Sequence, residues 1–170
     1  QTHYIGELFG GGIVFWVSPD GEHGLIMSFE DVSSLAIWSN ITTSVGNAND
    51  MYDGLANSNA IVNQTGHTTS AAQLCLNYSN DGFDDWYLPA LWQISQIYHN
   101  AYTLNYVLTN DENPATIPLV SDQSWVTPLP AYWSSTEYND SNAWFYYFQH
   151  GYQFNNNKSA TFRVRAVRSF

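Results

Sequence analysis

Groups able to do acid–base, nucleophilic or metal chemistry are present in this chain, but they are not gathered at a spacing that uses them. The five histidines, at 3, 23, 67, 99 and 150, form no i, i+4 pair and no HxH step, so nothing in the sequence marks an imidazole metal site. Ser134 and Ser135 stand in a strand-like Trp-Ser-Ser-Thr run instead of a Gly-x-Ser-x-Gly elbow, which speaks against a serine hydrolase. Gly10-Gly11-Gly12 leads into an apolar strand, with no Gly-Lys-Ser/Thr behind it, so it is not a phosphate loop. A single cysteine, Cys75, excludes an internal disulfide framework and a cysteine-based zinc site. Asp81, Asp84 and Asp85 carry the oxygens calcium takes, at a spacing that matches no EF-hand loop; a turn and helix-start role is the plainer reading. No cofactor is expected, with calcium as the alternative.

What remains is recognition chemistry. From Tyr138 to Phe162 the sequence mixes Asn, Asp, Ser, Thr, His and Gln with Tyr147, Tyr152, Phe154 and other aromatics. That blend is typical of binding paratopes, where aromatic rings supply rigid contact area and small polar residues supply adaptable hydrogen bonds. An ordinary amphipathic hairpin, alternating in and out, fits the composition equally well.

Charge narrows the partners. The 170 residues hold four Lys plus Arg against fifteen Asp plus Glu, a net charge of −11. Such a body has little with which to neutralise phosphates, so nucleic acid and anionic membrane surfaces are disfavoured. Twenty-eight aromatic residues (7 Trp, 12 Tyr, 9 Phe) exclude disorder. The longest apolar run, Ile13 to Val17, is far short of the ~18 residues of a membrane span. Without an initiator Met, Gln1 is expected to begin a trimmed fragment. All four cations, Lys158, Arg163, Arg165 and Arg168, lie in the last thirteen residues. They read either as a closing strand paired to carboxylates of the acidic body or as an anion-binding patch.

The elements that must position these residues follow from local pattern. Residues 13–17 read as a buried strand, Pro19-Asp20-Gly21 as a turn, and Leu25-Ile26-Met27 as the hairpin partner. Residues 29–50 read as irregular, anchored by Trp38. A helix over 53–64 would turn Leu55, Ala56, Ile61 and Val62 to one side. Thr69 or Ser70 caps a second helix with an Ala71, Ala72, Leu74, Cys75, Tyr78 stripe, and a third runs over 91–98. Residues 103–130, with Pro114, Pro118, Pro128 and Pro130, read as a long loop. Strands are expected over 132–135, 143–148 and 162–167, with turns at Gly151 and at Asn155-Asn156-Asn157. The class is α+β, a single domain over 1–170, with an antiparallel sheet, two or three helices, and first and last strands as neighbours.

Several co-linear motifs then carry a resemblance. Gly-Gly-Ile-Val-Phe (11–15), Gly-Glu-His-Gly-Leu (21–25), Asn-Ala-Ile-Val (59–62), Ala-Ala-Gln-Leu-Cys (71–75), Asp-Trp-Tyr-Leu-Pro (85–89), Tyr-Trp-Ser-Ser-Thr-Glu (132–137), Asn-Ala-Trp (142–144) and Val-Arg-Ala-Val-Arg-Ser-Phe (164–170) resemble bacterial and phage domains typified by the C-terminal head of Legionella collagen-like adhesin. The resemblance implies a C-type-lectin-like fold and a non-catalytic binding head, extracellular on a bacterial surface or phage virion. Family analogy also points to a homotrimer. The closing arginines then read as scaffold, and a protein receptor or neutral glycan becomes a better ligand than a sulfated sugar. At Ala90 the chain lacks the capping Ser usual in the family, a cap worth ~1 kcal/mol.

Residues 132–170 also resemble the variable region of proteins diversified by diversity-generating retroelements, in which template adenines, often in Asn codons, are randomised. The residue types such changes produce stand at Asn139, Asp140, Ser141, Tyr147, His150, Tyr152, Phe154, Asn155, Asn156, Asn157, Ser159, Ala160, Thr161 and Phe162. Except for Ala160, these are the expected ligand-binding residues, with Tyr147, Tyr152 and Phe154 as anchors. The alternative is a calcium-dependent glycan lectin using Asp81, Asp84, Asp85 or Glu137.

Overall fold

The computed structural model describes residues 2–120 and 129–170; the expected loop therefore lies partly, with Pro128, outside the described residues. Nine strands and three helices are formed among them: β1 (Leu8–Phe9), β2 (Gly12–Val17), β3 (Gly24–Ser28), β4 (Ser33–Ile37), α1 (Gly54–Val62), α2 (Ala71–Leu76), α3 (Leu91–Asn110), β5 (Ala131–Glu137), β6 (Asn142–Tyr147), β7 (Tyr152–Asn157), β8 (Thr161–Val164) and β9 (Val167–Ser169). They make two sheets, ordered β1-β2-β3-β9 and β4-β8-β5-β6-β7. All pairings are antiparallel except β5 with β8, which meet in parallel at Tyr132 and Arg163. The fold is thus mixed α+β as expected, but with two sheets where one was anticipated.

The unbroken apolar run in β2 has a simple cause. Ile13 and Phe15 face the core beneath α3, whereas Val14 faces a second core with Trp38, Trp86 and Trp133, so both sides of the strand are buried. β5 is shared in the same way, Trp133 on one side and Tyr132 on the other. The expected closing strand over 162–167 divides at Arg165–Ala166 into β8 and β9, one in each sheet, so the C-terminal segment stitches the sheets together. Its last part pairs with β3, Leu25 opposite Ser169, so the last strand neighbours β3 and not the first strand as expected.

Three helices appear, with corrections. In α1, capped by Asp53, the buried residues are Gly54, Asn57, Ser58 and Ile61, while Leu55 is exposed. The polar pair is turned inward because loop backbone satisfies it: Asn57 donates to the Asp50 carbonyl at 2.7 Å, and the Ser58 hydroxyl accepts from Leu88 N–H at 3.1 Å. Ser70 caps α2, whose Ala71, Ala72 and Cys75 are buried as expected. Burial pushes the Cys75 thiol far above its ordinary range. Helix α3 runs twelve residues beyond the expected Tyr98, because Ala101, Leu104 and Leu108 continue the buried stripe of Ile94 and Ile97. Without a capping Ser, its first N–H groups find other acceptors: Gln93 Oε1 accepts from Ala90 N–H at 2.8 Å, Thr136 Oγ1 from Leu91 N–H at 3.0 Å and the Met51 carbonyl from Trp92 N–H at 2.9 Å.

Two further segments differ from expectation. Residues 33–37, read as irregular, form β4 against β8. Asn155-Asn156-Asn157, read as a turn, lies in β7, and the turn falls at 158–160. Cross-strand pairing with β6 over six consecutive residues overrides the turn preference of Asn.

Candidate ligand-binding face

β6 and β7 form a hairpin in which the two strands do different work. β6 is buried on both faces, Ala143 and Phe145 in one core and Tyr146 in the other, whereas every residue of β7 except half-buried Asn155 is exposed. An amphipathic hairpin would have buried one side of both. Tyr152 is 46% and Phe154 59% exposed, although water penalises large rings left in it.

The register sorts the hairpin by face. Tyr152, Phe154 and Asn156 pair with Tyr147, Phe145 and Ala143. All of these except Ala143 join Leu129, Ala131 and Phe162 in lining a mostly apolar cavity of about 210 Å³ open to solvent, and no lining residue carries a formal charge at neutral pH. At its rim Tyr147, His150 and Tyr152 form an aromatic group: the His150 and Tyr152 rings stack at 5.9 Å and 6°, and Tyr147 meets Tyr152 edge-on at 5.8 Å. The hairpin turn is tight enough that Gly151, at φ +70°, has no room for a Cβ beside the Tyr98 ring.

The other end of the hairpin is polar. Asn139, Asp140 and Ser141 are exposed in the β5–β6 turn, where Asn139 Oδ1 accepts from Ser141 and Asn142 N–H. Asn157 Oδ1 does the same for Ser159 N–H at 2.9 Å. These two amides therefore shape turns as well as facing solvent. Ser159 and Thr161 are exposed, Asn155 is half-buried and accepts from Asn142 Nδ2 at 2.9 Å, and Asn156 is exposed. Phe162 is different. At 8% exposure it packs edge-on against Trp133 at 4.7 Å and lies 4.4 Å from the Phe145 ring, so it is a core residue that floors the cavity. Leu129, Ala131 and Phe145, which complete the cavity, were not anticipated; they are apolar residues whose role depends on the fold of the sheet.

Beneath the polar end sits Lys158. It is fully buried, and its ammonium donates to Glu137 Oε1 and to the carbonyls of Thr43 at 2.9 Å and Asp140 at 2.7 Å, 4.9 Å from the Trp38 ring. Glu137 in turn accepts from Val45 N–H at 2.8 Å. The remaining cations are likewise internal: Arg163 and Arg165 share Asp31, each at 3.0 Å, and Arg168 holds Asp85 with two nitrogens. The closing arginines are thus paired to carboxylates of the acidic body, not presented as an anion patch.

These pairings also engage two of the carboxylates named for calcium, Glu137 with Lys158 and Asp85 with Arg168. Among the described residues no three His, Cys, Asp or Glu gather as a metal site. The Arg168 hydrogen bond holds Asp85 below its ordinary value of 3.8, against a smaller opposing effect of burial. A depressed folded pKa gives stability that is present above the ordinary carboxylate value and is lost as pH falls through the depressed one. Asp85→Asn should therefore flatten the decline in stability over that acid window. Because the Asp85 side chain is 54% exposed, the loss at neutral pH should stay below about 1 kcal/mol, read from urea melts at a series of pH values.

No curated protein matches the chain. Among the described residues no helix is long and apolar enough to cross a membrane. A family model does match, the Lcl C-terminal domain, over residues 28–168, which takes in α1 to α3 and every residue of the exposed hairpin, and the chain accordingly belongs to that adhesin-type family.

Proposed function

We propose that this domain is a non-catalytic display head of C-type-lectin-like architecture, carried outside the cell on a bacterial surface or phage tail, that binds a protein receptor or neutral glycan. The binding residues are those of the β6–β7 hairpin and its turns, Asn139 to Ser141, Tyr147, His150, Tyr152, Phe154 to Asn157, Ser159 and Thr161. Phe162 supports them from below. The observation that carries this reading is the exposure of Tyr152 and Phe154 beside an uncharged cavity, on a strand that contributes little to the core. Diversification by a retroelement accounts for the same residues as variable positions on a fixed scaffold. A near-copy of the coding segment and a reverse transcriptase gene beside it are its genetic signature. Homotrimer formation rests on family analogy.

The test uses the domain immobilised on beads and presented to a neutral-glycan panel and to intact bacterial cells. Binding should disappear in the Tyr152→Ala/Phe154→Ala variant. Its unfolding free energy should move by less than about 1 kcal/mol, as for exposed positions. Undiminished binding by this variant overturns the assignment of the face.

A further inference from the structure

The outer edge of β7 has a property separate from its side chains. Lys158 N–H donates to the Ser141 carbonyl at 2.9 Å, which fixes the phase of the ladder: residues 152, 154 and 156 turn their backbone groups to β6, and 153, 155 and 157 turn theirs outward. Asn157 satisfies its own, its N–H donating to Asn156 Oδ1 at 2.8 Å and its carbonyl accepting from Ala160 at 2.9 Å. That leaves the N–H and C=O of Gln153 and Asn155, two residues apart, without a backbone partner among the described residues. They form the half-ladder an incoming strand needs.

Natural sheets protect their edges with short strands, bulges, Pro or charge. The other edge strands here do so: β1 has two residues, β9 three, and β4 an irregularity between Ser33 and Ala36. β7 has six residues in uninterrupted register, no Pro and no Lys, Arg, Asp or Glu. The apolar cavity lies on one face of this same edge strand.

We propose that the domain binds its protein ligand by strand addition: an extended polypeptide segment pairs with the Gln153 and Asn155 backbone and sets alternate side chains into the cavity beside Phe154. This deepens the display-head reading and rests on it. Main-chain hydrogen bonds supply sequence-tolerant affinity and the cavity supplies selectivity, which suits the diversified face proposed above. The occupant is a partner peptide without net negative charge. A second copy brings another −11 to a body whose four cations are all engaged internally.

The probe is a peptide of about ten residues selected against the wild-type domain from a randomised display library. On saturation, amide exchange at Gln153 and Asn155 should slow about tenfold or more, while Phe154, already bonded to β6, changes little. Asn155→Pro deletes an outward N–H and spares the ladder to β6, so it should weaken binding about tenfold or more beyond the loss in Asn155→Ala, which removes the same side chain and keeps that N–H. Should Asn155→Pro fail to fold, exchange on the wild-type domain decides alone. Peptides that bind without slowing those two amides, or a library that yields no binder, overturn strand addition. If Tyr152→Ala/Phe154→Ala still abolishes binding in the bead assay, the display-face reading survives that result; if binding ignores the double variant too, both fail. Protection that appears with protein concentration and no peptide identifies the occupant as a second copy and overturns the peptide proposal.

Discussion

Lys158→Met should lower the free energy of unfolding by about 3–5 kcal/mol, the range for removing one member of a buried ion pair. The loss comes from what is left behind. The Glu137 side chain is 6% exposed, and without the ammonium its charge keeps, among the described residues, Val45 N–H and a long contact from the Ser44 hydroxyl at 3.4 Å. The carbonyls of Thr43 and Asp140 lose their donor at the same time. Lys158→Met/Glu137→Leu removes the stranded charge, so it should cost only about 1–2 kcal/mol, mainly from the unpaired Val45 N–H and the two carbonyls. Urea melts of the two singles and the double give the coupling directly. Equal losses for Lys158→Met and the double variant would show that the charge pair is not what holds these segments. Because the ammonium ties the 43–45 segment to the 138–141 turn, amide exchange in that turn should also quicken in Lys158→Met while β2 and β3 keep their protection.

That lysine shows where sequence reading stops. It is the chain's single Lys, standing between Asn157 and Ser159 in a neutral stretch, which is a visible anomaly. Its partners, however, are 18, 21 and 115 residues away in sequence, and no local rule brings them together. Elements governed by neighbours a few residues apart were legible: the β2–β3 hairpin from its apolar run and turn, and α2 from Ser70 and its alanine stripe. α3 was cut short at Tyr98 because the following tyrosines and asparagines dilute its stripe, although Leu104 and Leu108 keep the spacing.

The β6–β7 hairpin was legible as a composition and illegible as a shape. Asn155 to Asn157 carry turn propensity, yet six paired residues hold them extended. Phe162 belongs to the same set of residue types as Phe154 and ends on the opposite side of the burial divide, 8% against 59% exposed. Residue type cannot separate them. Their neighbours do: β8 is flanked by β4 and β5, whereas β7 closes the sheet.

Asp31→Ala should be the second severe substitution, again by about 3–5 kcal/mol. One carboxylate here serves two guanidinium groups, Arg163 Nη1 and Arg165 Nε each lying 3.0 Å from it. The Arg165 side chain is fully buried where the closing segment passes from one sheet to the other, and its other nitrogens donate to the carbonyls of Ser28 at 3.1 Å and Ile117 at 2.8 Å. Those carbonyls satisfy hydrogen bonds but supply no opposing charge, so deleting Asp31 takes the carboxylate from a fully buried guanidinium, that of Arg165. Asp85→Asn offers the internal contrast, since Arg168 then faces a half-exposed position that water can screen. Tyr132 gives a local reporter. Burial first, and Asp31 second, push its phenol up to about 12; removing Asp31 should bring that titration down while burial keeps it above the ordinary value of 10.0. A stability loss confined to the range of Asp85→Asn, with the Tyr132 titration unmoved, would mean that Arg165 is held by carbonyls and that Asp31 does not fasten the junction between the sheets.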